Sequence, residues 1–147
     1  MSSERRLYWD SDVIIDLLEQ TQARIHRLLP IVTAAKRGSV IIVTSALTMV
    51  EVNKLKNLNL LDEQVEQIVM DFFENDYISI RNVDRFVAEK ARPIARKCGV
   101  KPPDAIQIAT AILMEVEVMH TFDGKLLGLS GLVEVEELKI EEPPEPS

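Results

Sequence analysis

The sequence predicts an α/β domain with a central, mostly parallel β-sheet flanked by helices. Three observations carry that prediction. Short apolar runs alternate with longer amphipathic stretches along nearly the whole chain, as strands joined by helical crossovers require. The run Val-Ile-Ile-Val at 40–43 is aliphatic without interruption, which suits a strand covered on both faces. Glycine, proline and short hydroxyl or acidic side chains gather at the junctions between runs, where turns and helix caps need them.

The elements follow in order. Leu-Tyr-Trp at 7–9 reads as a short buried strand, and Ser11 or Asp12 can cap a helix from about Val13 to Glu19. A second helix over 22–38 carries Ile25, Leu28, Leu29 and Val32 on one stripe, with Pro30 expected to kink or divide it and Gly38 to end it. After the strand at 40–43, Thr44 or Ser45 caps a helix expected to reach about Asn57. An amphipathic helix over 62–76 leads into a strand at 77–80, and 84–99 is helical with Pro93 as a break and Gly99 as a stop. Pro103 suits the first turn of a helix over 102–116. A strand over 117–122 and an alternating final edge strand over 132–138 complete the domain. The expected organisation is one domain over 1–138 and an acidic, proline-rich tail over 139–147, of which 141–147 reads as disordered.

Composition narrows the function classes. Apolar residues make up 46% of the 147, enough for a sizeable core. No apolar run approaches the roughly 20 residues that span a bilayer, and the polar start has no signal-like apolar stretch, so a cytoplasmic protein without membrane contact is expected. Cys98 is the single cysteine, which rules out an intrachain disulfide and a cysteine metal site. The net charge of −7 is concentrated at one end. Residues 134–147 hold six glutamates and one lysine, leaving only −2 on the other 133, so overall charge does not exclude a polyanionic substrate.

Four acids stand where the pattern calls for something else. Asp10 directly follows the first strand, at the carboxyl end where sites form in open α/β sheets; its alternative is a helix cap. Glu51 shares a helical face with Leu47, Leu55 and Leu58, or else lies at a stripe edge that reaches water. Asp104 opens its helix, where acids favour the macrodipole, yet shares a face with Ile108 and Ala111. Asp123 follows the strand at 117–122 and precedes Gly124, a common turn pair. Two strand ends and two helix segments gathered on one sheet edge would form a self-repelling cluster. Hard divalent cations such as Mg²⁺ or Mn²⁺ are the natural partners of such all-oxygen sites.

These segments together resemble the PIN-domain family of metal-dependent ribonucleases, and most closely its VapC-type toxins. "LYWDSDVIIDLLE" resembles the family's opening motif, "TSALTMVEV" the second with Glu51, "GVKPPDAIQIATAI" the third with Asp104, and "MHTFDGKLL" the fourth with Asp123. The likeness covers about residues 7–138. There are two departures. Position 12, usually Asn or Ser, is Asp12, which caps the first helix on the favoured reading and otherwise adds negative charge at the site beside Ser11 and Thr121; and Gly124 and Lys125 follow Asp123 where a further acid or Asn is common.

The resemblance implies a PIN-like α/β/α sandwich and a phosphodiesterase acting on RNA with Mg²⁺ or Mn²⁺. Asp10 and Asp123 would be direct ligands, Asp104 would share a second and weaker ion, and Glu51 would ligate through water or orient the nucleophile. Ser11 and Thr121 would fix carboxylate rotamers, with strand-end capping as their alternative. Arg92, Arg96, Lys97 and Lys101 could track an RNA backbone, or form a solvated helix face; Lys125 could contact phosphate, or be an exposed loop lysine. His26 and His120 read as surface or strand-end histidines. The partners implied are a small antitoxin that covers the site and a second copy of the chain in a homodimer. The competing readings are a PIN nuclease of RNA processing without an antitoxin, and a catalytically silent PIN interaction module.

Overall fold

The computed structural model describes residues 4–147. Five strands form one sheet: β1 (Arg5–Trp9), β2 (Val40–Ser45), β3 (Ile78–Arg81), β4 (Val118–His120) and β5 (Ile140–Glu141). Their order is β3-β2-β1-β4-β5 and every pairing is parallel. The register sets Tyr8 between Val43 and Met119, and Trp9 beside His120.

Alternation along β1 divides the core in two. Leu7 and Trp9 face one side with Val13, Ile14, Leu28, Ile42, Val69 and Phe72. Tyr8 faces the other with Val43, Val87, Ile94, Ala105, Ile108 and Met119. The first layer holds the helices α1 (Ser11–Glu19), α2 (Ile25–Lys36) and α4 (Asp62–Phe73), and the second holds α5 (Arg85–Cys98) and α6 (Pro102–Leu113). The short helices α3 (Ala46–Glu51) and α7 (Gly124–Leu127) follow β2 and β4. From β1 the chain builds outward to β3, then returns to place β4 on the opposite side of β1. That reversal opens a crevice beyond the carboxyl ends of β1 and β4, where ligands bind in doubly wound sheets.

Several boundaries differ from the sequence expectation, each for a local reason. Helix α1 begins at Ser11, and its cap is Asp10, not Ser11 or Asp12: the Asp10 side chain accepts from the Val13 amide. Helix α3 stops at Glu51 rather than Asn57. There the Asn53 side chain donates to the Val50 carbonyl at 2.7 Å. Glu19 then takes both the backbone and side-chain N–H groups of Asn57. Leu55 and Leu58 still reach the core, but from a loop rather than a helical stripe. Pro30 and Pro93 lie inside continuous helices; each removes one hydrogen bond without ending its helix. Gly99, at φ 65°, stops α5 as expected.

The largest difference is at the C-terminus. Residues 132–138 are not a strand: Val133–Val135 make a 3-10 turn, and Glu136 and Glu137 follow at positive φ. Val133 is 75% exposed while Val135 and Leu138 are buried, so the apparent alternation does not describe a sheet face. The edge strand is β5, inside the segment assigned to the tail, and its second residue, Glu141, opens the stretch expected to be disordered. The Met119 amide donates to Lys139 O, the Thr121 amide to Glu141 O, and the Ile140 amide to Ser130 Oγ. Burial of Ile140 at 2% exposure supplies the apolar gain. Beyond it, Glu145 pairs with Arg27 at 2.6 Å and with His26 at 2.8 Å.

Ile140→Ala should lower unfolding free energy by about 2–4 kcal/mol, the usual cost of deleting a buried Ile side chain, read by denaturant unfolding. A loss below about 0.5 kcal/mol, the scale of a surface change, would mean that β5 is not part of the core.

Candidate active site

The crevice beyond β1 and β4 is built by chain ends, not by side chains reaching from afar. Asp10 is the first residue after β1 and is 5% exposed. Its Oδ1 accepts from the Val13 amide at 3.2 Å and its Oδ2 from the Thr121 hydroxyl at 2.5 Å. Thr121, the first residue after β4, in turn accepts from the Asp123 amide at 3.1 Å. Asp123 caps α7 by accepting from the Lys125 amide at 2.8 Å. One hydroxyl thus ties the loop after β4 to the carboxylate after β1. Thr121 therefore does more than finish a strand.

The other two acids come from helix ends. Asp104 stands in the first turn of α6, which begins at Pro102. Glu51 is the last residue of α3 and accepts from Gln107 Nε2 at 2.6 Å. Gln107 is 2% exposed. Its Oε1 accepts from the Tyr8 hydroxyl, and its Nε2 also lies 3.1 Å from Thr48 Oγ1. Thr48 touches Thr44, which donates to the Trp9 carbonyl at 2.8 Å. A buried polar relay therefore runs beneath the crevice and fixes Glu51 from below. Sequence reasoning did not single out Gln107. Its signal was there: a polar amide in "AIQIATAI", one turn after Asp104, among residues that are otherwise small or apolar.

Asp10, Glu51, Asp104 and Asp123 line one cavity of about 310 Å³, with Ser11, Asp12 and Gln107. Asp12 therefore belongs to the acidic wall, not to the helix cap that its position suggested. Lys101 also lines the cavity. Arg92 and Arg96 instead border a separate groove between α5 and α6, lined also by Ala95 and Pro102. Lys125 lies close enough to Asp104 to favour its charge, and its Nζ donates to the Gly99 carbonyl at 3.0 Å. Asp16, the third aspartate of the opening run, pairs locally with Thr21 and Arg24. His26 lies on α2 against Glu145, away from the crevice. His120 is buried, accepts at Nδ1 from the Trp9 indole N–H at 3.1 Å, and is pushed down to about 4 mainly by burial, so it is neutral at pH 7. Burial raises the pKa of the Cys98 thiol.

Electrostatically the cavity is costly. Burial pushes Asp10 up to about 7, against the Thr121 bond, with repulsion from Asp12 and Asp123 adding to the rise. Asp12 is raised by burial, then by Asp123 and Asp16. Glu51 is raised by burial and by Asp104 and Asp12, while the Gln107 amide and the nearby Ser11 hydroxyl oppose the shift. Asp104 is raised by burial and Asp123, with Lys101 and Lys125 opposing. Each acid thus disfavours the charge of another.

Among the described residues, no three His, Cys, Asp or Glu side chains are drawn together as a finished metal cage. The donor chemistry nonetheless fits a hard cation. The acids offer only oxygen donors, their charges are in excess, and Mg²⁺ commonly binds through one or two carboxylates while keeping several waters. No helix among the described residues is long and apolar enough to cross a membrane.

Known proteins place this architecture. No curated protein sequence matches the chain. Among solved structures, it resembles a chain of VapBC2 from Rickettsia felis bound to a promoter DNA fragment, with a TM-score of 0.67 at 12% identity over 93% of this chain and 98% of that one. A toxin–antitoxin complex from Klebsiella pneumoniae gives 0.54 at 20% identity over 95% and 99%. FitAB bound to an IR36 DNA fragment gives 0.61 at 22% identity over 93% and 94%. At these identities the likeness establishes the fold. The PIN-domain family profile matches residues 7–131, which take in both strand ends and all four acids, and the chain belongs to the PIN-domain family.

Proposed function

We propose that this protein is a Mg²⁺- or Mn²⁺-dependent endoribonuclease and the toxin of a toxin–antitoxin pair. The observation that carries the reading is the meeting of Asp10, Glu51, Asp104 and Asp123 in one cavity at the switch point of a PIN fold. Of the three structural relatives described above, that from Klebsiella pneumoniae is a toxin–antitoxin complex, and VapBC2 and FitAB are each bound to a DNA fragment. They favour the antitoxin-paired reading over an RNA-processing nuclease, and a small antitoxin is the partner we expect to cover the crevice.

Asp10 and Asp123 would be the direct ligands, Asp104 would share a second ion, and Glu51 would orient the attacking water. A divalent ion there would supply an activated water and neutralise charge building on the phosphorane-like transition state. The chain's own residues hold the frame for that chemistry. The Val13 amide and the Thr121 hydroxyl fix both Asp10 oxygens, so the carboxylate cannot rotate away from repulsion. Gln107 holds Glu51 through a charge-assisted bond. Asp12 adds charge to the wall without closing a cage. Lys101, which lines the same cavity, would meet the phosphate that the acids would otherwise repel.

Short RNA incubated with the protein and Mg²⁺ or Mn²⁺ should be cut, and EDTA should abolish cutting. Asp10→Asn should lower the rate by about 10²-fold or more, the scale of losing one preorganised electrostatic group. Full activity in that variant would sink the mechanism.

The same substitution should change stability in the opposite sense. The folded Asp10 pKa, about 7, lies above its ordinary value of 3.8. Stability from this group is therefore complete below 3.8 and falls as pH rises toward 7. At pH 8 without metal, Asp10→Asn should stabilise the protein by roughly 1–4 kcal/mol, with little gain at pH 4. Asn caps helices as well as Asp does, so the cap is retained. Thermal melting in EDTA at the two pH values reads the difference; equal shifts at both would refute the account.

A further inference from the structure

Arg24 is fixed beside the acidic crevice by contacts that, among the described residues, leave most of its donors uncommitted. Its Nη1 donates to Asp16 Oδ2 at 2.7 Å, and its guanidinium lies over the Phe122 ring, 4.1 Å from the centroid. Asp16 is one turn beyond Asp12 on the same face of α1, and Phe122 immediately precedes Asp123. The two contacts therefore bracket the guanidinium between neighbours of two crevice acids. Asp16 is 8% exposed and also accepts from Thr21, so it acts as a buried anchor. The Arg24 side chain remains 40% exposed. A guanidinium has five N–H donors, and Asp16 takes one of them. Its charge is also felt at Asp12, whose ionised form it favours.

A locked, half-exposed guanidinium with spare donors matches a phosphodiester oxygen in charge and geometry. The acids repel a polyanion, so a strand entering the crevice needs cations along its path. Lys101 stands on the α6 side of the cavity, and Arg24 answers it from the α1–α2 side. We propose that Arg24 binds a non-bridging oxygen of an RNA backbone phosphate flanking the one cleaved, as a substrate-positioning residue. The inference rests on the ribonuclease reading above.

The test uses the full chain with short single-stranded RNA of mixed sequence. Cleavage is followed with Mn²⁺, and binding is followed with Ca²⁺ in its place across a series of salt concentrations. Arg24→Gln keeps a donor for Asp16 and removes the charge. It should raise KM about 10-fold with kcat changed less than about 3-fold, and flatten the slope of log affinity against log salt by about 0.7, the value for one phosphate contact on a single strand. Arg24→Lys keeps the charge and should retain the wild-type slope; if the glutamine variant does not fold, the lysine variant with a raised KM and an unchanged slope supports the contact, and an unchanged KM overturns it. A fall in kcat at constant KM, with the slope unchanged, also overturns it, since Arg24 would then only brace the loop that carries Asp123. Wild-type cleavage together with an unaltered Arg24→Gln slope defeats this inference alone. A wild-type protein that neither binds nor cuts RNA defeats both this inference and the reading on which it rests.

Discussion

The architecture depends on holding mutually repelling carboxylates together in a partly buried cavity. Ionised acids at this depth favour separation or neutralisation. The fold resists both by making backbone and neutral donors bear the load. Asp10 is clamped at both oxygens, by the Val13 amide and the Thr121 hydroxyl. Asp123 is held through its own helix cap. The remaining cost appears as the raised pKa of Asp10. On the proposed reading, a site of this kind would trade stability for readiness to accept a cation.

The sheet makes the trade possible. Parallel strands point their carboxyl ends the same way, and the reversal after β3 sets β4 beside β1. Two strand ends separated by more than a hundred residues become neighbours, as the Thr121–Asp10 bond shows. On the opposite side of Asp10, the relay from Trp9 through Thr44, Thr48 and Gln107 to Glu51 joins the end of β1 to α3 and α6. Each of its polar atoms finds a partner, so the relay can sit in the core without the cost of an unsatisfied group. It turns Glu51 from a helix-end acid into a fixed one.

Much of the fold was legible because its signals are local. The aliphatic run at 40–43, the Ser45 and Gly99 caps and the prolines opening α6 each act through neighbours in sequence. The misreadings share one cause: competition settled by distant contacts. Asp10 took the cap that Ser11 or Asp12 could have taken, because Thr121 holds the same carboxylate at the strand end. Helix α3 ended early because Glu19 captures the loop at Asn57. The alternating segment 132–138 lost the sheet edge to Ile140, whose side chain fills the core beside Met119.

By itself, then, the sequence determined the alternation of strands and helices and the four acids that no element needed, since periodicity, capping preference and local chemistry act over a few residues. It also carried the order of motifs by which the family could be recognised. Only the tertiary structure decided that those acids share one cavity, that Asp12 joins them, and that Gln107 supports Glu51. Those relations are set by strand order and by hydrogen bonds across 56 and 111 positions of sequence, distances over which local propensity carries no information. The end of the chain shows the same division: a composition rich in glutamate and proline reads as solvated, but an open edge beside β4 and a pocket for one isoleucine side chain made a strand of it.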